Sequence, residues 1–98
     1  MATFQSASID RLFKAILALE SAEECYRFFE DVCTINELQD MAQRFEAALL
    51  LDQGLNYQQI AQQLGISTAT ISRVSRCLNY GSGGYREAIA KGKAGDDQ

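Results

Sequence analysis

The chain of 98 residues has no proline, no histidine and no tryptophan, and its first glycine is Gly54. Without proline, no ring blocks a helix interior and no backbone N–H is missing from one. That absence and the glycine-free first half suit a nearly all-helical, all-α fold. Without histidine, the side chain most often used as a general base near neutral pH is gone, and so is the usual nitrogen ligand for zinc. No nucleophile–base pairing is suggested, no cofactor motif is present, and the chain reads as a non-enzyme. Cysteine is scarce: Cys25, Cys33 and Cys77 are odd in number and fit neither a zinc spacing nor a disulfide framework. Cys25 and Cys33 fall on an apolar helical stripe, where buried, reduced thiols are expected in a cytoplasmic setting. Apolar runs such as Ala47 to Leu51 are far too short to span a membrane, and no signal-peptide pattern is present.

What the chain does have is an uneven distribution of charge. The formal net charge is −4, which argues against a nucleic-acid partner at first sight. Residues 1–52 carry 4 Lys/Arg against 10 Asp/Glu, whereas residues 53–86 carry Arg73, Arg76 and Arg86 and no acid at all. Charges farther apart than about 8 Å are largely screened at physiological salt, so the local balance matters more than the total. Three arginines per chain are few, and two copies in a dimer would help. A core of this size is modest, so oligomerisation is the remaining source of stability.

Three capping patterns divide the first part of the chain. Residues 1–8 read as an N-terminal arm, with Ser8 able to cap a first helix bearing Ile9, Leu12, Phe13, Ile16 and Leu17 at helical spacing. Ser21 with Glu24 opens a second helix, whose stripe is Cys25, Phe28, Phe29, Val32 and Cys33; Thr34 with Glu37 opens a third. The third carries Leu38, Met41, Ala42, Phe45, Ala48 and Leu49, and then Leu50 and Leu51. That arc is wider than one contact requires, which fits either a dimer seam or central burial within one chain.

Residues 56–78 carry the most informative pattern. Asn56 and Gln59 form a further capping box, and Ile60, Ala61 and Leu64 give a short helix one apolar face. Gly65 follows where a chain leaving a helix needs a positive φ. Ile66 is expected to enter the core, Ser67 or Thr68 to cap a second helix, and Ile71, Val74 and Leu78 to form its inner stripe. This is the helix-turn-helix arrangement, whose second helix enters the major groove of double-stranded DNA. An ordinary corner between two helices shares much of the pattern. The outer face favours DNA, because Thr68, Ala69, Thr70, Ser72, Arg73 and Arg76 are small, hydroxylated or cationic. Beyond Leu78, residues 79–84 read as a loop, Tyr85 to Ala90 as a short helix, and 92–98 as a disordered tail. The domain therefore spans 9–91.

Several segments together resemble the Trp-repressor superfamily, most closely its YerC/YecD-type branch. They are Thr34 to Leu38, Met41 to Arg44, Tyr57 to Gly65, Thr70 to Val74, and Leu78-Asn79-Tyr80-Gly81-Ser82-Gly83-Gly84-Tyr85. The resemblance covers nearly all of Ile9 to Ile89. It implies a six-helix fold and an intertwined homodimer, in which the first three helices of both chains interlock and two helix-turn-helix units project toward successive major grooves. In that family a tryptophan corepressor lies between core and reading head, held by a threonine and two arginines. The matching positions are Thr34, Arg44 and Arg73. The residue after the second arginine is a glycine in the repressor and Val74 here, where a branched side chain would obstruct the indole. Tryptophan is therefore not the expected ligand, and Arg44 and Arg73 are free to pair with acids or hold another small anion. The DNA-facing positions correspond to Gln58, Thr68, Ala69, Thr70, Ser72 and Arg76. Arg76 suits a phosphate or a guanine, Gln58 a phosphate or an adenine, and the methyls of Thr68 and Ala69 suit thymine. The expected function is that of a homodimeric, DNA-binding transcriptional repressor. A helical module that docks on a protein partner is the alternative from a different class.

Overall fold

The computed structural model describes residues 4–96, with side chains as far as Lys93. Among them are six helices and no strand: α1 (Ala7–Leu17), α2 (Ala22–Val32), α3 (Ile35–Asp52), α4 (Tyr57–Leu64), α5 (Thr68–Tyr80) and α6 (Gly84–Asp96). The fold is all-α. The chain divides into two compact units, one ending at Leu38 and the other beginning at Gln39.

In the first unit the caps differ in detail from those expected. Ser6, not Ser8, caps α1: it is extended, and its hydroxyl accepts the Ile9 N–H at 3.2 Å. Ser8 lies in the first helical turn, with its hydroxyl 3.2 Å from that of Ser6. Ser21 caps α2 by accepting the Glu24 N–H, but the Glu24 carboxylate accepts from the N–H of Glu20. Thr34 and Glu37 form the reciprocal pair, each side chain accepting the other's backbone N–H, at 2.9 and 3.1 Å. Neither α1 nor α2 contains a buried residue. Phe13 is 50% exposed, Leu17 84% and Val32 53%. Cys25 and Cys33 are half-buried rather than buried, because the stripe they belong to is itself open; all three cysteines are free thiols. Residues 1–3 of the expected arm lie outside the described residues.

The second unit holds the core. Ala47, Ala48 and Leu50 of α3 meet Ile60 of α4, Ile71, Val74 and Leu78 of α5, and Ile89 of α6. Phe45, Leu49, Leu51, Ala61 and Ile66 pack around them. The wide arc of α3 thus divides, its C-terminal half being covered within this unit while Met41 remains 39% exposed. Three boundaries move outward from their expected places, the end of α5 and both ends of α6. Helix α5 continues to Tyr80, so that Gly81–Gly83 alone form the connection, and α6 is helical from Gly84 to Asp96, longer than the stretch 85–90. The physical reason is tertiary. Ile89 anchors α6 in the core, and the Lys93 ammonium donates to Asp52 Oδ2 at 2.8 Å, tethering the helix beyond Ala90. The helix thus extends into the stretch from Gly92 where disorder was expected; residues 97 and 98 lie outside the described ones.

Candidate nucleic-acid interface

Helix α4 begins with the Asn56 box: the Asn56 side chain accepts the Gln59 N–H, and the Gln59 side chain accepts the Asn56 N–H, both at 2.9 Å. The helix ends at Gly65, whose φ of 68° and ψ of 32° are left-handed, with its N–H donated to the Ala61 carbonyl. Ile66 turns toward the core, and Ser67 caps α5 by accepting the Thr70 N–H at 3.2 Å. Burial then fixes the facing of α5. Ile71, Val74 and Leu78 are 0%, 1% and 6% exposed, so the opposite side of the helix points outward.

Gln58, Thr68, Ala69, Arg73 and Arg76 are exposed, whereas Thr70 and Ser72 are half-buried. The Thr70 hydroxyl sits 3.0 Å from the Ser67 hydroxyl and is engaged in the cap. Neither Arg73 nor Arg76 forms an ion pair with a described residue. Arg86, counted above among the three cations of the acid-free stretch, does: its Nη1 lies 3.5 Å from Asp52. Among the described residues, the unpaired charge on α4 and α5 is therefore two arginines.

The residues matching the corepressor site are distributed over both units. Thr34, in the first unit, is exposed, and its hydroxyl is occupied by the α3 cap. Hydrogen bonds from the Thr34 backbone N–H, and then from its side chain, hold the Glu37 carboxyl below its ordinary pKa. Arg44 and Arg73, in the second unit, are exposed, and the ion-pair alternative for them is not realised among the described residues. Val74 is part of the core.

Two features escaped the sequence reading. One is a cleft of about 400 Å³ lined by Phe45, Cys77, Gly81, Ser82, Gly84, Tyr85 and Ala88. The rings of Phe45 and Tyr85 stack beside it with centroids 6.4 Å apart. The other is the cluster of Arg86 and Lys93 on Asp52; the seven-residue interval of the two cations, with Ile89 between them, was its sequence signal.

The sequence pattern of the Trp repressor protein family matches residues 7–93. The chain belongs to that family. The uncharacterized protein YerC of Bacillus subtilis is 55% identical over 85 residues, which cover 87% of this chain and 82% of YerC. A solved TrpR-like protein from Eubacterium eligens is 49% identical, covers 89% of this chain and 90% of its own, and superposes with a TM-score of 0.86. A solved chain from Staphylococcus aureus is 47% identical, covers 91% and 89%, and has a TM-score of 0.87. The Trp-repressor-like fold and the YerC-type branch expected from the sequence are both borne out. Among the described residues no helix is long and apolar enough to cross a membrane.

Proposed function

We propose that this member of the Trp repressor family is a sequence-specific DNA-binding transcriptional regulator that acts as a homodimer and represses by occupying its operator. The observation that carries the reading is the outer face of α4 and α5. The capped helix, left-handed Gly65 and buried Ile71-Val74-Leu78 stripe support an outward array of Gln58, Thr68, Ala69, Ser72 and Arg76. No carboxylate lies between Asp52 and Glu87 to repel phosphates. The exposed faces of α1 and α2 support the dimer: an amphipathic helix is stable only when its apolar side is covered, and a second copy offers the matching faces. The two reading heads of such a dimer would meet half-sites about one helical turn apart.

Tryptophan is not the effector in this reading. At 1% exposure, Val74 belongs to the core, and removing its side chain to admit an indole would open that core. The deciding experiment is retention of mixed-sequence duplex DNA as a function of salt, followed by selection from a random duplex pool. Salt-sensitive binding with an enriched palindromic sequence is the expected result. Retention that ignores salt, or none, would show that phosphates are not the target and overturn the reading in favour of the protein-docking alternative.

A further inference from the structure

Arg86 stands at a junction of three helices. Its Nη1 lies 3.5 Å from Asp52 Oδ1, at the last residue of α3. Its Nη2 donates to Asn79 Oδ1 at 3.1 Å, in the last turn of α5. The Asn79 amide nitrogen in turn donates to the Ser75 carbonyl oxygen at 2.9 Å and to the Ser75 hydroxyl at 3.3 Å. Ser75 immediately precedes Arg76. The second Asp52 oxygen accepts from Lys93, and the Asp52 side chain retains only 20% of its exposure.

The chemistry of each member suits a clamp. A carboxylate at a helix C-terminus faces the negative end of the helix dipole, so Asp52 needs cations to offset it. Arg86 and Lys93 supply two, from the same face of α6 that buries Ile89. A guanidinium can serve two acceptors at once through its planar fork, whereas an ammonium on a flexible stem cannot reproduce that geometry. Arg86 therefore bonds the end of α3 and the end of α5 together through one rigid group.

We propose that Arg86 is a positioning residue for DNA recognition: joined to Asp52 and Asn79, it fixes the last turn of α5 against the end of α3 and so sets how the outer face of α5 is presented. The inference rests on the DNA-binding reading above. It also reassigns a cation from the acid-free stretch, which would otherwise count as a phosphate contact.

The test uses the full chain and four variants: Arg86→Lys, Arg86→Ala, Asp52→Asn, and Asp52→Asn with Arg86→Ala. Two measurements are made, binding to a duplex selected by the unaltered protein over a range of salt, and amide hydrogen exchange across Asn79–Gly81. Asp52→Asn should weaken the selected duplex by up to about fivefold, the scale of one partly exposed ion pair. Removing a negative charge would by itself strengthen binding to any duplex, so the sign of the change discriminates. Arg86→Lys keeps the charge and should lose affinity similarly, with an unaltered salt slope. The double variant should be no weaker than Arg86→Ala, because both changes break one network. All four should speed exchange across Asn79–Gly81. The proposal is overturned if Arg86→Lys binds normally while Arg86→Ala flattens the salt slope by about one phosphate contact. It is equally overturned if Asp52→Asn strengthens binding, or leaves exchange unchanged. Should the unaltered protein retain no DNA, the functional reading fails separately, and exchange alone still decides whether the clamp exists.

Discussion

Replacing Gly65 separates backbone strain from steric crowding. At φ 68° the residue is left-handed, and a Cβ built there meets no atom within 4 Å. Any cost of a side chain must then come from the backbone conformation alone. An L-residue in this region costs about 1–2 kcal/mol. Alanine recovers about 0.4–1 kcal/mol by restricting the unfolded chain. Gly65→Ala should thus destabilise by about 0.5–1 kcal/mol. Gly65→Asn should be milder, because asparagine tolerates this region, and Gly65→Val harsher, because a β-branched residue there is an outlier. Gly81 supplies the contrast. Its φ of −85° is ordinary, but a Cβ there would collide with the Cys77 carbonyl, so Gly81→Asn should be no better tolerated than Gly81→Ala. The assay is urea unfolding at fixed protein concentration, read by far-ultraviolet circular dichroism. An alanine variant at 65 as stable as the parent, or asparagine and valine variants of equal stability there, would refute the reasoning.

Three further outcomes are expected. Arg76→Ala should weaken binding to duplexes of every sequence and reduce the slope of log K against log salt by about 0.9, without altering helicity; an unchanged slope would remove Arg76 from the phosphate contacts. Saturating tryptophan should leave the thermal midpoint where it is, whereas a ligand binding only the folded state raises it; a clear upward shift would show that Val74 does not exclude the indole. The Glu37 carboxyl, held below its ordinary pKa by Thr34, should contribute stability that is complete above the ordinary glutamate range and declines as pH falls through the lowered native value. Glu37→Gln should remove that part of the acid dependence, and a proton-exchange titration placing the Glu37 pKa at or above its ordinary value would contradict the assignment.

The parts of the fold governed by neighbours in sequence were legible, and those governed by distant partners were not. Asn56 with Gln59, Gly65, Ser67 and the Ile71-Val74-Leu78 stripe specify α4, the turn and α5 through contacts at most a few residues apart. Ser6 and Ser8 both precede the α1 stripe, and the choice between them depends on where the chain becomes extended, which composition does not reveal. The end of α6 depends on Lys93 reaching an aspartate 41 residues earlier in the chain. Glycine and charge at 92–96 read locally as tail, and only that contact and the burial of Ile89 argue otherwise. For the interface, helical periodicity separated the outer from the inner face of α5. It did not reveal that the Thr70 hydroxyl is taken up by the Ser67 cap, or that Arg86 is bound at Asp52. Amphipathic stripes on α1 and α2 announced faces to be covered, but such a stripe carries no information on whether the cover comes from the same chain.

On the proposed DNA-binding function, the count of free cations constrains how a duplex would be recognised. With Arg86 engaged, α4 and α5 carry Arg73 and Arg76 as their only arginines, so in the proposed dimer these two helices would supply about four phosphate contacts, or about −3.6 of the salt slope. Electrostatics on that scale gives weak attachment to arbitrary sequence. Useful affinity must then come from groups that distinguish bases: the Gln58 amide, the Thr68 and Ala69 methyls, and the hydroxyls left free on the outer face. Such contacts act only at hydrogen-bond or van der Waals distance, so they reward a correctly angled helix and fail with a displaced one. A reading head poor in charge therefore depends more heavily on rigid support than a basic one does. That dependence is the reason an arginine is better placed on Asp52 and Asn79 than on a phosphate.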